Sequence, residues 1–232
     1  MGPIYHATST IQALIARYGQ QQPGLEDLTD EENRRLALYM KLIAPFTLPE
    51  PTSTSVPLFK KTAYSYDFWR CLGRREPNKR FRVQFGDVRE VPEVPTFVKS
   101  RPICQNNENS VLLPLEMDRH FFFPKDPFHW EQKKDMAIFR GACHQPWRKR
   151  FLNATRNSRL VDAGDTSRSV DTTQYHKPFM RPQGQMQFKF IISLEGNDVA
   201  SNLKWAMNSN SVVIMPKPKF ETWFCESVLE PD

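Results

Sequence analysis

Glycine is scarce in this sequence, 9 residues in 232 against 19 prolines, and the protein classes built on glycine loops are the first to be excluded. There is no G-x-x-x-x-G-K-[ST] phosphate loop, no G-x-G-x-x-G dinucleotide fingerprint and no G-x-S-x-G nucleophile elbow. Cysteine is equally sparse. Cys71, Cys104, Cys143 and Cys225 lie scattered without a C-x-x-C pair, which excludes a dense disulfide framework and points to free thiols in a reducing compartment. No window approaches 18 apolar residues, and the N-terminal stretch MGPIYHATSTIQALIARYG has no basic region followed by an apolar core, so neither a membrane span nor an export signal is expected. The reading is cytoplasmic residence, with peripheral association at the inner face of the membrane left open. Internal repeats and low-complexity segments are absent as well.

Metal chemistry finds little support. His120, His129, His144 and His176 fall at no ligand spacing, and Cys143 cannot easily chelate together with its neighbour His144. Asp162 to Asp165 reads DAGD, superficially like a metal-binding DxD but with the wrong spacing. No metal site is therefore expected. The net charge of +6 and pI of about 9.2 favour polyanionic neighbours such as a nucleotide, a phosphorylated glycolipid or an anionic surface. RNA would fit the charge, but no aromatic RNP-type strand accompanies it, so a nucleic-acid partner is not expected.

With 232 residues, 39% of them hydrophobic, the chain is long enough to bury a sizeable core or two small ones. Thr29 and Glu32 form a capping-box pattern ahead of ENRRLALYMKLI, whose apolar positions recur at helical spacing. A proline-rich connector follows, from Pro45 to Pro57. Ala63 to Trp69 and Phe81 to Phe85 read as strands, the second stopping at Gly86-Asp87, and Val111 to Leu115 reads as another. Asp126 to Trp130 looks like a linker, Met136 to Arg140 a strand, and Pro146 to Arg159 a helix with proline near its first position. Asn153-Ala154-Thr155 spells a glycosylation acceptor, but it falls inside that helix in a chain with no signal, so it is read as incidental. Strands alternating with helices imply an α/β architecture.

The most informative stretch runs from Phe188 to Glu226, FKFIISLEGNDVASNLKWAMNSNSVVIMPKPKFETWFCE. Phe188 to Leu194 reads as a strand, Glu195 to Asp198 as a turn, Ser201 to Met207 as a helix, and Ser211 to Met215 as a second, buried strand. Such a βαβ unit presents backbone N–H groups at the strand's C-terminal edge, where a phosphate is the natural occupant. The segment EGNDVASNLKWAMNSNSVVIMPKPKFETWF closely resembles the C-terminal motif of the CAP10-like glycosyltransferases, family 90, whose members include bacterial lipopolysaccharide core transferases and animal protein O-glucosyltransferases. FGDVREVP at Phe85 to Pro92, KSRPI at Lys99 to Ile103 leading into VLLPLEMDRHF, and IFRGACHQPWRKRFL at Ile138 to Leu152 fall in the family's order. The resemblance covers the chain from about Tyr64 onward and is nearer to the bacterial branch. It implies the glycosyltransferase B arrangement of two Rossmann-like domains facing a cleft, residues 1–130 on the acceptor side and 131–232 holding the nucleotide sugar. The chain ends at Leu229 to Asp232, where family members continue, so it is read as a fragment with an incomplete second domain.

The implied reaction is transfer of a hexose, glucose or galactose, from a UDP-sugar to a hydroxyl of a lipopolysaccharide core or similar glycan, with inversion and no metal or other cofactor. A carboxylate at a strand's C-terminal end can take the hydroxyl proton. Asp87 matches the position where relatives carry a proposed base, with Glu90 in reserve and turn capping as the simpler role of a Gly-Asp pair. Arg148 matches the family's phosphate-binding arginine, Arg150 is the alternative, and either could equally be a solvated helix residue. Arg140 and Gly141 shape the turn, and Ala142 falls at a donor-contacting position where only its backbone can serve. Ser201 and Asn202 fall where the helix start meets the diphosphate, with Lys204 one turn inside or simply solvated. Asn197 belongs to the same cradle. Asp198 either caps that helix or touches the donor, and Glu195 reads as a turn carboxylate. A truncated, non-catalytic protein that still binds nucleotide or glycan is the rival reading.

Overall fold

The structure is a computed structural model that describes residues 28–42, 48, 62–72, 81–167 and 174–230. The N-terminal stretch at 1–27 and, apart from residue 48, the proline-rich connector at 45–57 lie outside the described residues. The chain divides into two units, 1–38 and 39–232.

Helix α1 (Asp30–Tyr39) starts as its sequence requires: Glu32 accepts the Thr29 backbone N–H at 2.9 Å, and the Thr29 hydroxyl accepts the Glu32 N–H at 3.3 Å. The second unit then runs α2 (Ala63–Leu72), β1 (Val83–Gln84), β2 (Thr96–Val98), β3 (Ser100–Pro102), β4 (Ser110–Leu112) and α3 (Met117–His120). It continues with β5 (Lys134–Gly141), α4 (Pro146–Thr155), β6 (Val161–Asp165), α5 (Pro182–Gln185), β7 (Phe188–Ile192), α6 (Leu203–Met207), β8 (Val212–Ile214) and β9 (Phe220–Thr222). The architecture is mixed α/β with two parallel sheets, one ordered β1-β2-β4 and the other β6-β5-β7-β8. An antiparallel pair, β3 with β9, opposes Ser100 to Thr222.

The parallel sheet of β5 to β8 is buried on both faces at its centre, which is why β5 and β7 read as continuous apolar runs. Side chains alternate across it. Ile138 and Ile191 enter one cluster with Met186, Trp205 and Ala206, while Ala137, Phe139 and Ile192 enter the opposite one with Cys143 and Leu152. The β7-α6-β8 unit is the parallel crossover anticipated from the sequence, and β5-α4-β6 is a second, whose closing strand Val161–Asp165 the sequence reading did not include.

Two elements differ from the sequence reading. Ala63 to Trp69 is helix α2 rather than a strand, because Thr62 caps the segment through its hydroxyl to the Ser65 N–H at 3.2 Å. Phe68 is wholly buried against the rings of Phe81, Phe85 and Phe97, while Tyr66 points outward at 66% exposure. Strand β8 forms as expected but is not buried: it lies at the sheet edge, and Val212 and Ile214, on one face, are 49% and 48% exposed. The sequon's Asn153 lies in α4, where its side chain accepts a bond from the Tyr175 hydroxyl at 3.0 Å. No helix among the described residues is long and apolar enough to cross a membrane.

Candidate functional site

In the sheet ordered β6-β5-β7-β8, the chain leaves β5 toward one edge and β7 toward the other. The C-terminal ends of β5 and β7 are thus a topological switch point, the place where open parallel sheets bind ligands. Arg148, projecting from the first turn of α4, fills it. Its Nε donates to the Glu195 carbonyl at 2.9 Å, one terminal nitrogen to the Ala142 carbonyl at 2.8 Å, and the other to the Leu194 carbonyl. Gly141 and Gly196 flank the guanidinium, and a Cβ on either would stand 3.4 or 3.5 Å from its nitrogens. Burial lowers the Arg148 pKa from its ordinary value. Trp147, 40% exposed, donates its indole N–H to the same Glu195 carbonyl at 2.9 Å. The Glu195 carboxylate accepts the backbone N–H groups of Lys219 at 2.8 Å and Phe220 at 3.2 Å, and burial pushes its pKa up against those two bonds. The turn after β7 is therefore braced from both sides.

That turn meets a set of acids from the other parallel sheet. Asp87, three residues beyond β1, accepts the Lys99 ammonium on one oxygen at 2.7 Å and the Asn197 amide on the other at 3.2 Å. Its side chain is still 33% exposed. Burial pushes the Asp87 pKa up, but the bond and charge of Lys99 and the Asn197 amide outweigh that and hold it below the ordinary carboxylate range. Asn197 also accepts from Gln145, at the start of α4, at 3.0 Å. Asp198 does not cap the helix after it. It is buried, taking the Ser100 hydroxyl at 2.6 Å and the Lys99 ammonium at 2.9 Å on one oxygen.

Glu116 completes the group. It sits in the left-handed region at φ 58°, costly for a residue with a side chain and frequent at working sites. Its carboxylate accepts the Tyr64 hydroxyl at 2.8 Å and lies 3.5 Å from the His120 ring and 3.6 Å from Lys99. Burial works to raise its pKa, yet His120, Tyr64 and Lys99 together bring it down to about 2. Burial, reinforced by the same acid, pushes Tyr64 up to about 12. His120 is held below the ordinary histidine value by burial and by Lys204 and Lys99.

The structure brings together Asp87, Arg148, Ala142, Asn197 and Asp198 through these contacts, and separates others. Glu90 and Arg150 are exposed, Arg150 lying two residues after Arg148 and so on the other side of α4. Ser201 is half-buried ahead of α6, and Asn202 is tied to the end of β7, donating to the Ile192 carbonyl at 3.2 Å and accepting from the Ser193 hydroxyl at 3.1 Å. Lys204 is neither solvated nor at the helix start's opening: it is buried in an ion pair with Glu226 at 2.8 Å. Arg140, read as shaping the turn, instead joins β5 to β6, one terminal nitrogen donating to both Asp162 carboxylate oxygens at 2.9 Å. Beneath the turn, a shallow depression is lined by Val199, Ala200, Leu203, Met215 and Phe220 at the ends of β7 and β8.

Lys99, Ser100, Glu116, Tyr64 and His120 carried no role in the sequence reading, although KSRPI and VLLPLEMDRHF stood out as segments. For Lys99 and Ser100 the pattern on offer was a lysine next to a serine, too common to single out.

Part of this site falls in a stretch similar to a known family. Residues 122–231 match the model described as Glycosyl transferase family 90. Over 198 residues it is 45% identical to a protein of Dichelobacter nodosus described as O-glucosyltransferase LpsA, an alignment covering 84% of this chain and 62% of that relative. The chain thus spans a little under two thirds of the relative's length.

Proposed function

We propose that the chain is part of a glycosyltransferase that moves a hexose, glucose or galactose, from a UDP-sugar to a hydroxyl of a lipopolysaccharide core or similar glycan acceptor. The observation that carries this reading is the meeting of Asp87 with Asn197, which puts a solvent-open carboxylate beside the switch point occupied by Arg148. The family match and the relative's description as an O-glucosyltransferase support it from outside. In this reading Asp87 accepts the proton of the attacking hydroxyl, with Glu90 too exposed to be preferred. Ionised Asp87 is suited to that task at neutral pH because Lys99 and Asn197 hold its pKa down.

Arg148 faces the leaving diphosphate, exchanging a backbone carbonyl for a phosphate oxygen as the donor enters. The backbone at Ala142 and the Asn197 turn line the donor side. The two sheets then correspond to an acceptor half, 1–130, and a donor half, 131–232, of the glycosyltransferase B type, working by inversion and without metal. The alternative is a non-catalytic protein that binds nucleotide or glycan; what favours it is that the Arg148 nitrogens already satisfy three backbone carbonyls.

The test is a thermal scan with and without UDP in chelator, with an adenine nucleotide as control. At one hundred times its dissociation constant UDP should add about 2.7 kcal/mol. No response to UDP overturns the donor assignment. Asp87→Asn should then lower turnover by about 10²- to 10⁴-fold while leaving UDP affinity in place; a parent chain that binds UDP and transfers nothing is the non-catalytic protein instead.

A further inference from the structure

Lys99 lies in the single-residue link between β2 and β3, and its side chain reaches acids from three separate elements. It is 3% exposed. Asp87 accepts from it at 2.7 Å and Asp198 at 2.9 Å, and a Glu116 oxygen lies 3.6 Å away, so two N–H donors bond carboxylates and a third acid stands beside them. The next two residues extend the same pattern, Ser100 bonding Asp198 at 2.6 Å and Arg101 bonding Glu221 at 2.7 Å. Residues 99–101 therefore pin the turn after β7 and strand β9 to the link beside β2.

Asp87 reaches the Asn197–Asp198 turn by two routes, directly through the Asn197 amide and indirectly through Lys99 to Asp198. The direct bond, at 3.2 Å, joins two exposed polar groups, whereas both bonds of the Lys99 route are shorter and charged. We infer that Lys99 is the positioning residue for Asp87, fixing its carboxylate in the ionised form and coupling it to the donor-side turn through Asp198. This rests on the reading of Asp87 as the base. Without the ammonium, Asp87, Glu116 and Asp198 become three acids sharing a site, which disfavours ionisation of each. The other charges in reach are Arg119, which lowers Asp87, together with Tyr64, His120 and Lys204 around Lys99.

The experiment is a carboxyl titration of ¹³C-aspartate-labelled chain by NMR, with Asp87 assigned from Asp87→Asn, in the parent, Lys99→Met, Lys99→Arg and Asp198→Asn. Lys99→Met should move the Asp87 midpoint up by about one to three pH units, and Lys99→Arg should restore most of it. Asp198→Asn removes a competitor for the ammonium and should move Asp87 the opposite way, downward. If Lys99→Met does not fold by thermal scan, Asp198→Asn and Lys99→Arg still decide. An Asp87 midpoint that moves in neither Lys99→Met nor Asp198→Asn, or in the same direction in both, overturns the inference, as does one that fails to fall in Asp198→Asn where Lys99→Met does not fold. Turnover against pH separates this from the functional reading. An acid limb that follows the Asp87 midpoint supports both. An active transferase whose limb ignores Lys99→Met refutes the role of Lys99 alone, and a chain that shows the expected shifts yet transfers no sugar keeps the ion-pair assignment while refuting the transferase.

Discussion

Replacing Lys204 by methionine separates two accounts of one residue. The side chain is 0% exposed, its ammonium 2.8 Å from a Glu226 carboxylate that is 1% exposed, with the rings of Phe121 and Phe224 5.8 and 5.4 Å away. Glu226 also accepts the Thr222 backbone N–H at 2.6 Å and the Thr222 hydroxyl at 3.0 Å. Methionine keeps the methylene stem and removes the charge, leaving a buried carboxylate with only neutral donors. Breaking a buried pair from one side costs about 3–5 kcal/mol, and the Thr222 bonds place this case toward the lower end. For a chain of this size that is a fall in Tm of roughly 6–12 °C. Urea unfolding of Lys204→Met, Glu226→Leu and the double variant is the assay. The double variant should recover most of the loss, because a matched apolar pair of similar volume is close to neutral beside a buried ion pair. UDP affinity, measured by calorimetry well below the transition, should not change. A Lys204→Met protein within about 0.5 kcal/mol of the parent, the range of ordinary surface changes, refutes the reasoning. Lost UDP affinity at unchanged stability would return Lys204 to the donor contact suggested by its place in the sequence.

Arg148→Lys leaves a point charge that cannot span the Ala142, Leu194 and Glu195 carbonyls together, so stability should fall by about 1–3 kcal/mol and UDP affinity by about tenfold or more; a variant with parental values for both removes Arg148 from the site. Glu116, at about 2 in the folded chain against an ordinary 4.5, binds its proton less readily folded than unfolded. Its contribution is therefore present above pH 4.5 and lost as pH falls from there toward 2, roughly 3 kcal/mol in all. Urea unfolding across that window should be flatter in Glu116→Gln than in the parent, and parallel curves would rule the contribution out.

What could be read from the sequence was what is local in the chain. The capping box at Thr29 and Glu32, the proline at the first turn of α4 and the β7-α6-β8 unit each depend on residues a few positions apart, and each formed. Where two local patterns compete, reading by spacing failed. Tyr64, Tyr66 and Phe68 alternate with polar residues as in a half-buried strand, yet a helix through the same residues buries Phe68 and leaves Tyr66 in solvent. The Thr62 cap is what tips that segment toward the helix. Val212 to Ile214 shows the other failing, since an apolar run marks a strand but not whether a neighbour will cover it. The sheet order leaves β8 with one partner and an open face.

The site divides along the same line. Arg148 reaches Ala142 six residues back, close enough for a motif to hold both, and its place at the switch point agrees with its place in the sequence. Asp87 meets Asn197 across 110 positions, and Ser100 meets Asp198 across 98. No periodicity records such pairs. Local rules offered Asp198 a cap on the helix beside it or a contact with the donor, whereas its carboxylate is taken by an ammonium and a hydroxyl in the opposite half of the chain. A buried lysine is the kind of residue sequence rules expect at the surface. Its burial here is offset by the three acids around it, which follow β1, β4 and β7 and so depend on both parallel sheets. The lowering of the Asp87 pKa is therefore a property of the assembled fold, so a change that loosens either sheet's hold on Lys99 should reach the candidate base before it reaches the core.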